Sequence, residues 1–88
     1  MKINYAPKFR KDYSKLSKII QGQADKKLKI FIQNKKHPLL RVHKIKSTKN
    51  IFEGSVNKNY RFTFCFIGGV CILRRIGPHK VIDKTLNT

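Results

Sequence analysis

The segment from Tyr60 to Ile76 constrains the fold more than any other part of this 88-residue chain. It consists of two apolar runs that are separated by Gly68 and Gly69. Two glycines between runs of β type are a strong hairpin signal, because glycine readily adopts the left-handed backbone that a two-residue turn requires. We therefore predict antiparallel strands over residues 60–67 and 70–77.

A two-residue turn also predicts which residues face each other across the hairpin. The predicted pairs are Phe66 with Cys71, Phe64 with Leu73, and Phe62 with Arg75. Side chains alternate between the two faces of a strand, so the aromatic residues share one face and need a cover. Arg61 and Arg74 lie on the opposite face, and we expect that face to be open because it carries permanent charges.

The first half of the chain shows helical rather than β periodicity. Lys2 to Ala6 alternates like a short strand, and Pro7 suits the first turn of a helix. Two apolar stripes follow at helical spacing; they are Phe9, Tyr13, Leu16 and Ile20, and then Ala24, Leu28 and Phe31. Ser17 or Gly22 is expected to break the first helix, and His37-Pro38 to end the second.

The second half has the period of strands. Residues 40–46 and 51–56 are predicted strands that precede the hairpin, and 78–88 are predicted to form a loosely held tail. We therefore predict an α+β fold in a single domain, 1–88, with the order β-α-α-β-β-β-β. Two N-terminal helices would pack on one face of a mainly antiparallel, twisted sheet.

The charge of the chain is the strongest indication of a partner. Lysine and arginine total 21 against four acids, a formal net charge of +17. Such self-repulsion is usually tolerated where the partner is a polyanion: nucleic acid, an acidic membrane surface or an acidic protein. A lysine-rich surface that is merely solvated is the alternative. No apolar run reaches 18 residues and the N-terminus lacks an apolar signal core, so we expect a cytoplasmic protein without a membrane span.

Four residues are candidates for chemistry on the open face. Glu53 is predicted to face Thr63, one diagonal from Arg61, where it either forms a cross-strand ion pair or takes part in catalysis. His43 and His79 flank that face, and histidine exchanges protons near neutral pH. His37 is assigned no role.

Neither a metal site nor a disulfide is expected. No Cys/His spacing of zinc type occurs, and Cys65 and Cys71 lie on opposite faces of the predicted hairpin, too poorly oriented for a disulfide.

The run HPLLRVHKIKSTKNIFEGSVNKNYRFTFCFIGGVCILRRIGPH resembles the core of the RelE/ParE superfamily, the toxins of type II toxin–antitoxin pairs. Its most specific parts are the HP–L–HK run, the acid-bearing strand, the Tyr60-Arg61 pair, and the Gly-x-His that ends at His79. The resemblance extends from about Tyr5 to His79 and is closest to the RelE, YoeB and YafQ type.

The resemblance implies a ribonuclease that cuts mRNA on the ribosome without metal or cofactor. In such toxins the 2′-hydroxyl attacks the adjacent phosphate; Arg61 matches the arginine at that phosphate. His79 matches the terminal acid or base, His43 falls where relatives carry a His or Glu, and Glu53 matches an acid common in its strand. We assign phosphate contacts to a wider set of basic residues: Lys44, Lys46, Arg74, Lys80, Lys11, Lys15 and Lys18. The resemblance also implies a cognate acidic antitoxin.

Two departures from the family pattern keep other functions open. Phe52 and Gly54 replace the lysine pair that RelE carries on the equivalent strand, and no C-terminal aromatic is evident among Val81, Ile82 and Leu86. The alternatives are a ParE-like inhibitor of DNA gyrase, an inactive family member that binds RNA or the ribosome, and an unrelated small basic nucleic-acid-binding domain.

Overall fold

The computed structural model describes residues 2–86, which form a mixed sheet with helices on both faces. The elements in chain order are β1 (Lys2–Tyr5), α1 (Pro7–Ser14), α2 (Lys18–Gln33), a 3₁₀ turn (Pro38–Leu40), β2 (His43–Lys44), β3 (Phe52–Ser55), β4 (Tyr60–Ile67), β5 (Val70–Pro78) and α3 (His79–Asp83). The strand order is β1-β5-β4-β3-β2. β1 pairs parallel with β5 and the other pairs are antiparallel. The predicted α+β class and its mainly antiparallel sheet are confirmed.

The two N-terminal helices form where the apolar stripes predict them. Pro7 is the first residue of α1. The helices are separated at Ser17, whose Oγ accepts a hydrogen bond from the Ile20 N–H at 3.3 Å and so caps α2. Gly22, the other predicted break, lies within α2. α2 ends at Gln33, before the predicted end at His37, and Pro38 instead begins the 3₁₀ turn.

The main core lies between these helices and the aromatic face of the sheet. Its buried members include Phe9, Ala24, Leu28, Phe31, Leu40, Phe62, Phe64, Leu73 and Ile76. The ring of Phe31 lies 5.4 Å from that of Phe62 and 4.7 Å from that of Phe64, so α2 packs directly on β4. The prediction that the helices cover the aromatic face is confirmed.

The hairpin register is as predicted near the turn and differs farther from it. Gly68 and Gly69 both have positive φ, and Phe64 faces Leu73. A β-bulge then follows, so that Phe62 faces Ile76 rather than Arg75. Leu73 and Ile76 are three residues apart, and regular alternation would bury Arg75 in the core and expose Ile76. The extra residue at Arg74 instead lets both apolar side chains enter the core.

The predicted strand over residues 40–46 is wrong except at His43 and Lys44. Leu40 belongs to the 3₁₀ turn and is fully buried. Arg41 has a left-handed backbone (φ 49°, ψ 42°), which is incompatible with an extended strand.

The prediction of a loose tail after residue 77 is also wrong for the part that the structure describes. β5 continues to Pro78, and α3 follows and contacts β4 and β5. Ile82 of this helix is 1% exposed but lies outside the main core cluster. α3 therefore covers part of the sheet face that we expected to be open; residues 87 and 88 lie outside the described part. None of the helices within residues 2–86 has the length and apolarity needed to cross a membrane.

Candidate active site

Glu53 lies at the centre of a polar cluster on the second face of the sheet. It is one of four acids in the chain and is 4% exposed. Its strand neighbours Phe52 and Gly54 face the core, so alternation turns the Glu53 carboxylate to the opposite face. In the register it faces Thr63 on β4, as predicted, and His43 on β2.

Three basic side chains converge on this carboxylate. Arg61 Nε lies 3.3 Å from Glu53 Oε1, and His79 Nε2 lies 3.7 Å from the same oxygen. His43 Nε2 lies 3.9 Å from Oε2. The structure thus brings together the four residues that the sequence predicts as catalytic, although they come from β2, β3, β4 and α3.

The turn between β3 and β4 holds the guanidinium of Arg61. Its Nη1 donates hydrogen bonds to the carbonyl oxygens of Asn57, Lys58 and Tyr60. Asn57 Oδ1 in turn accepts from the Asn59 and Tyr60 N–H groups, at 2.8 and 2.9 Å. The Arg61 side chain is 22% exposed, so a guanidinium fixed in place still reaches solvent. No hydrogen bond of its Nη2 is seen within residues 2–86, which leaves that nitrogen for a ligand.

The backbone fixes the protonation pattern of His43. Its Nδ1 lies 3.1 Å from the carbonyl oxygen of Arg41. A carbonyl only accepts, so Nδ1 carries a hydrogen and Nε2 is the nitrogen that faces Glu53. The side chain is 61% exposed, which makes Nε2 accessible to a substrate.

His79 is the first residue of α3, and this position directs it toward Glu53. Its N–H donates to the Asn59 carbonyl oxygen at 2.8 Å, so the start of the helix is anchored to the same turn that holds Arg61. Its Nε2 lies 3.9 Å from Asp83 Oδ1, one helical turn farther along. Sequence reasoning missed Asp83. Its i,i+4 spacing from His79 is a signal only once a helix is predicted there.

The basic residues predicted to contact phosphate lie in three different places. Lys44 and Lys46 on the β2 side and Lys80 on α3 are exposed and adjoin the histidines in the chain. Arg74, half-buried, lies at the bulge. The helical lysines are exposed but belong to the layer on the other face of the sheet; they are Lys11, Lys15 and Lys18.

The acids do little to neutralise the outer surface. Asp12 accepts two hydrogen bonds from Arg75, at 2.7 and 2.9 Å, and one from the Ile76 N–H at 3.2 Å, beyond the point where β1 ends. These bonds raise the pKa of Arg75 and keep it charged. Asp25 accepts from the Tyr13 hydroxyl at 2.6 Å. The exposed lysines are therefore left to create a strongly positive field.

The positions of Phe52 and Gly54 explain why neither carries a lysine. Phe52 faces the core, where its ring stacks on Phe64 with 5.5 Å between centroids. A Cβ on residue 54 would lie 2.4 Å from Cζ of Phe62. Both positions belong to the packing of the core face, so their side chains cannot reach a phosphate on the Glu53 face.

Glu53, His79 and Asp83 each offer one potential metal ligand, and these atoms lie within 4.8 Å of one another. The guanidinium of Arg61 beside Glu53 and the net charge of +17 both oppose a divalent cation there. The cluster is better suited to phosphate. A guanidinium attracts the anion, and two imidazoles on either side of a carboxylate can remove and supply protons.

Comparison with known proteins establishes the fold. No protein-family model and no curated protein sequence matches the chain. The crystal structure of YafQ from E. coli strain BL21(DE3) matches with a TM-score of 0.76 at 16% identity, covering 91% of this chain and 94% of that one. RelE in the RelB–RelE complex of Methanococcus jannaschii matches with 0.73 at 22%, covering 91% and 94%. A YoeB/ParE toxin from Agrobacterium tumefaciens matches with 0.72 at 12%, covering 90% and 99%. The chain therefore has the same fold as these YafQ, RelE and YoeB/ParE toxins.

Proposed function

We propose that this protein is the toxin of a type II toxin–antitoxin pair and acts as a ribosome-dependent mRNA endonuclease. The observation that supports this most strongly is the convergence of His43, Arg61 and His79 on Glu53, all within 4 Å of one carboxylate. Such a cluster has the parts that RNA cleavage by 2′-hydroxyl attack requires: a base, an acid and a fixed positive charge.

In the proposed reaction, His43 Nε2 removes the proton of the 2′-hydroxyl as its oxygen attacks the adjacent phosphorus. Arg61 neutralises the charge that develops on the phosphate oxygens. His79 Nε2 donates a proton to the departing 5′-oxygen, and the products are a 2′,3′-cyclic phosphate and a free 5′-hydroxyl. Glu53 orients Arg61 and His79 from beneath and stabilises the positive charge that His43 gains with the proton, so it is a positioning residue, and the attack needs no metal-bound water.

We propose that the protein acts on mRNA bound to the ribosome, because its positive charge lies on both sides of the sheet. Lysines on both helical layers can contact rRNA phosphates, which position a protein without reading sequence. Binding is then expected to weaken steeply with salt. Action on ribosomes places the protein in the cytoplasm.

A cognate acidic antitoxin is the proposed regulator. Solved structures with this fold include complexes of RelE with RelB and of YafQ with DinJ. Between α1 and α2 the chain has a groove of about 590 Å³ whose floor includes Phe9 and Leu28 and whose rim includes Arg10 and Lys29. An amphipathic acidic segment would match the apolar floor and these two cations; Asp25 also lines the groove, where it accepts a hydrogen bond from the Tyr13 hydroxyl.

The test is to induce the gene in cells and map mRNA 5′ ends. The proposal predicts growth arrest with cuts that are phased to codons. Codon-phased cuts that persist in the Arg61→Ala variant would remove the cluster from the mechanism. DNA damage without mRNA cuts would support the ParE-like gyrase inhibitor instead.

A further inference from the structure

A second concave surface lies beside the candidate active site, at the edge of the sheet formed by β2. It is a pocket of about 450 Å³ between the 3₁₀ turn and β2–β3. Its apolar lining includes Pro38, Val42 and the half-buried ring of Phe52. We refer to it as the edge pocket.

Cationic side chains line the edge pocket alongside these apolar residues. Lys36, Arg41 and Lys44 contribute, and all three are exposed. An apolar surface with several cations suits a ligand that is flat and aromatic at one end and anionic at the other. A nucleotide has this chemistry.

His37 adds a hydrogen-bond donor to the edge pocket. Its Nδ1 accepts the Leu39 N–H at 3.1 Å, so in the neutral ring Nε2 carries the hydrogen. The opposite tautomer is set at His43, whose Nδ1 donates to Arg41. His37, which lines the pocket, therefore has a hydrogen on Nε2 that it can donate. His43 instead has an unprotonated Nε2 that can accept a proton.

Arg41 connects the edge pocket to the candidate active site. Its side chain lines the pocket, and its carbonyl oxygen holds His43. Among residues 2–86 it is the non-glycine residue with positive φ, a conformation that costs free energy and occurs often at functional sites. The same residue therefore contributes its side chain to one surface and its carbonyl oxygen to the other.

We propose that the edge pocket binds the RNA nucleotide on the 5′ side of the cut, the one whose 2′-hydroxyl attacks. This inference rests on the proposed ribonuclease function, in which His43 acts on that hydroxyl. The base lies against Phe52 and Val42, and the 5′-phosphate of the same nucleotide meets Lys36 and Arg41. The 3′-phosphate, which is the scissile one, crosses the β2 edge to Arg61.

A nucleoside bisphosphate tests the inference on the isolated protein. Adenosine 3′,5′-bisphosphate occupies both phosphate positions, whereas adenosine 3′-monophosphate occupies that of Arg61 alone. Calorimetric titration is expected to show at least tenfold tighter binding of the bisphosphate. The Arg41→Gly variant retains a backbone suited to positive φ and is expected to lose this preference, while its affinity for the monophosphate changes less than twofold.

Three further variants test which residues cause the preference for the bisphosphate. Lys36→Ala should also reduce the preference, and Arg61→Ala should weaken both ligands. Lys8→Ala removes an equal charge on α1, at the other edge of the sheet, and should leave the preference unchanged. Equal binding of the two ligands by the wild-type protein, or a preference that survives in both Arg41→Gly and Lys36→Ala, would overturn the inference. Because no ribosome is present, these outcomes are independent of whether the protein cleaves mRNA.

Discussion

Arg61 and Phe62 are neighbours in the chain and lie on opposite faces of β4, and the comparison of these faces explains the molecule. The core face is aromatic, and its central residues are buried against α1 and α2. The other face buries a carboxylate beneath charged and titratable groups. Burial of the core face provides the free energy of folding. The face that carries Glu53 brings together charged and titratable groups that are not needed for stability. Substitutions on the two faces should therefore affect different measurements.

The largest expected effect is on the core face. Phe62→Ala removes a fully buried ring that packs on Phe31 and should lower the free energy of unfolding by about 3–5 kcal/mol. Chemical denaturation measures this. A loss below about 1 kcal/mol would show that the aromatic face is not the main source of stability.

The neighbouring substitution Arg61→Ala should instead abolish function. Loss of the guanidinium should slow mRNA cleavage about 100- to 1000-fold and prevent growth inhibition, while circular dichroism remains native-like. Arg61→Lys is the matched control. It retains a positive charge beside Glu53 but lacks the planar group that binds the turn carbonyls, so its fold should also remain native-like while cleavage stays slow. Full toxicity of Arg61→Ala would contradict the assignment.

Removal of the proposed acid should have an intermediate effect. His79→Ala is expected to slow cleavage on programmed ribosomes at least about tenfold. An unchanged rate would show that His79 is not the acid.

Two glycines allow the same comparison with a single added methyl group. Gly54→Ala places a Cβ 2.4 Å from the Phe62 ring and should destabilise the fold by about 1–3 kcal/mol. Gly77 faces Arg61 across the β4–β5 pair, and an added Cβ meets nothing within 4 Å. Gly77→Ala should keep the stability and affect cleavage less than Arg61→Ala does, because the added methyl group contacts no neighbouring atom. Equal losses of stability in Gly54→Ala and Gly77→Ala would contradict the proposed difference between the two faces.

The smallest effect concerns the thiol of Cys71 on the core face. Burial, with a smaller contribution from nearby Cys65, raises the pKa of Cys71 from 9.0 to about 11. The folded state holds this proton more tightly than the unfolded state, so the contribution to stability is present below pH 9 and is lost as the pH rises through about 11. Unfolding measured against pH should show a steeper decrease in the wild type than in Cys71→Val. Identical slopes would show that the thiol proton does not contribute.

Alternation and turn chemistry were sufficient to predict the hairpin, the aromatic face and the pairing of Glu53 with Thr63. They also placed Arg61 on the open face with His43 and His79 flanking it, and the structure shows that all three converge on Glu53. The bulge could not be predicted, because it depends on Leu73 and Ile76 both entering a core whose shape is set by distant helices. The left-handed Arg41 and the docking of α3 depend likewise on tertiary contacts, which local propensity does not contain.

The most direct test is a single-turnover assay of mRNA cleavage on programmed ribosomes in the presence of EDTA, with analysis of the product ends. The account predicts 2′,3′-cyclic phosphate and 5′-hydroxyl ends, formed without added metal by the wild type and lost in Arg61→Ala. Absence of cleavage by the wild-type protein, or cleavage that Arg61→Ala retains in full, would contradict it.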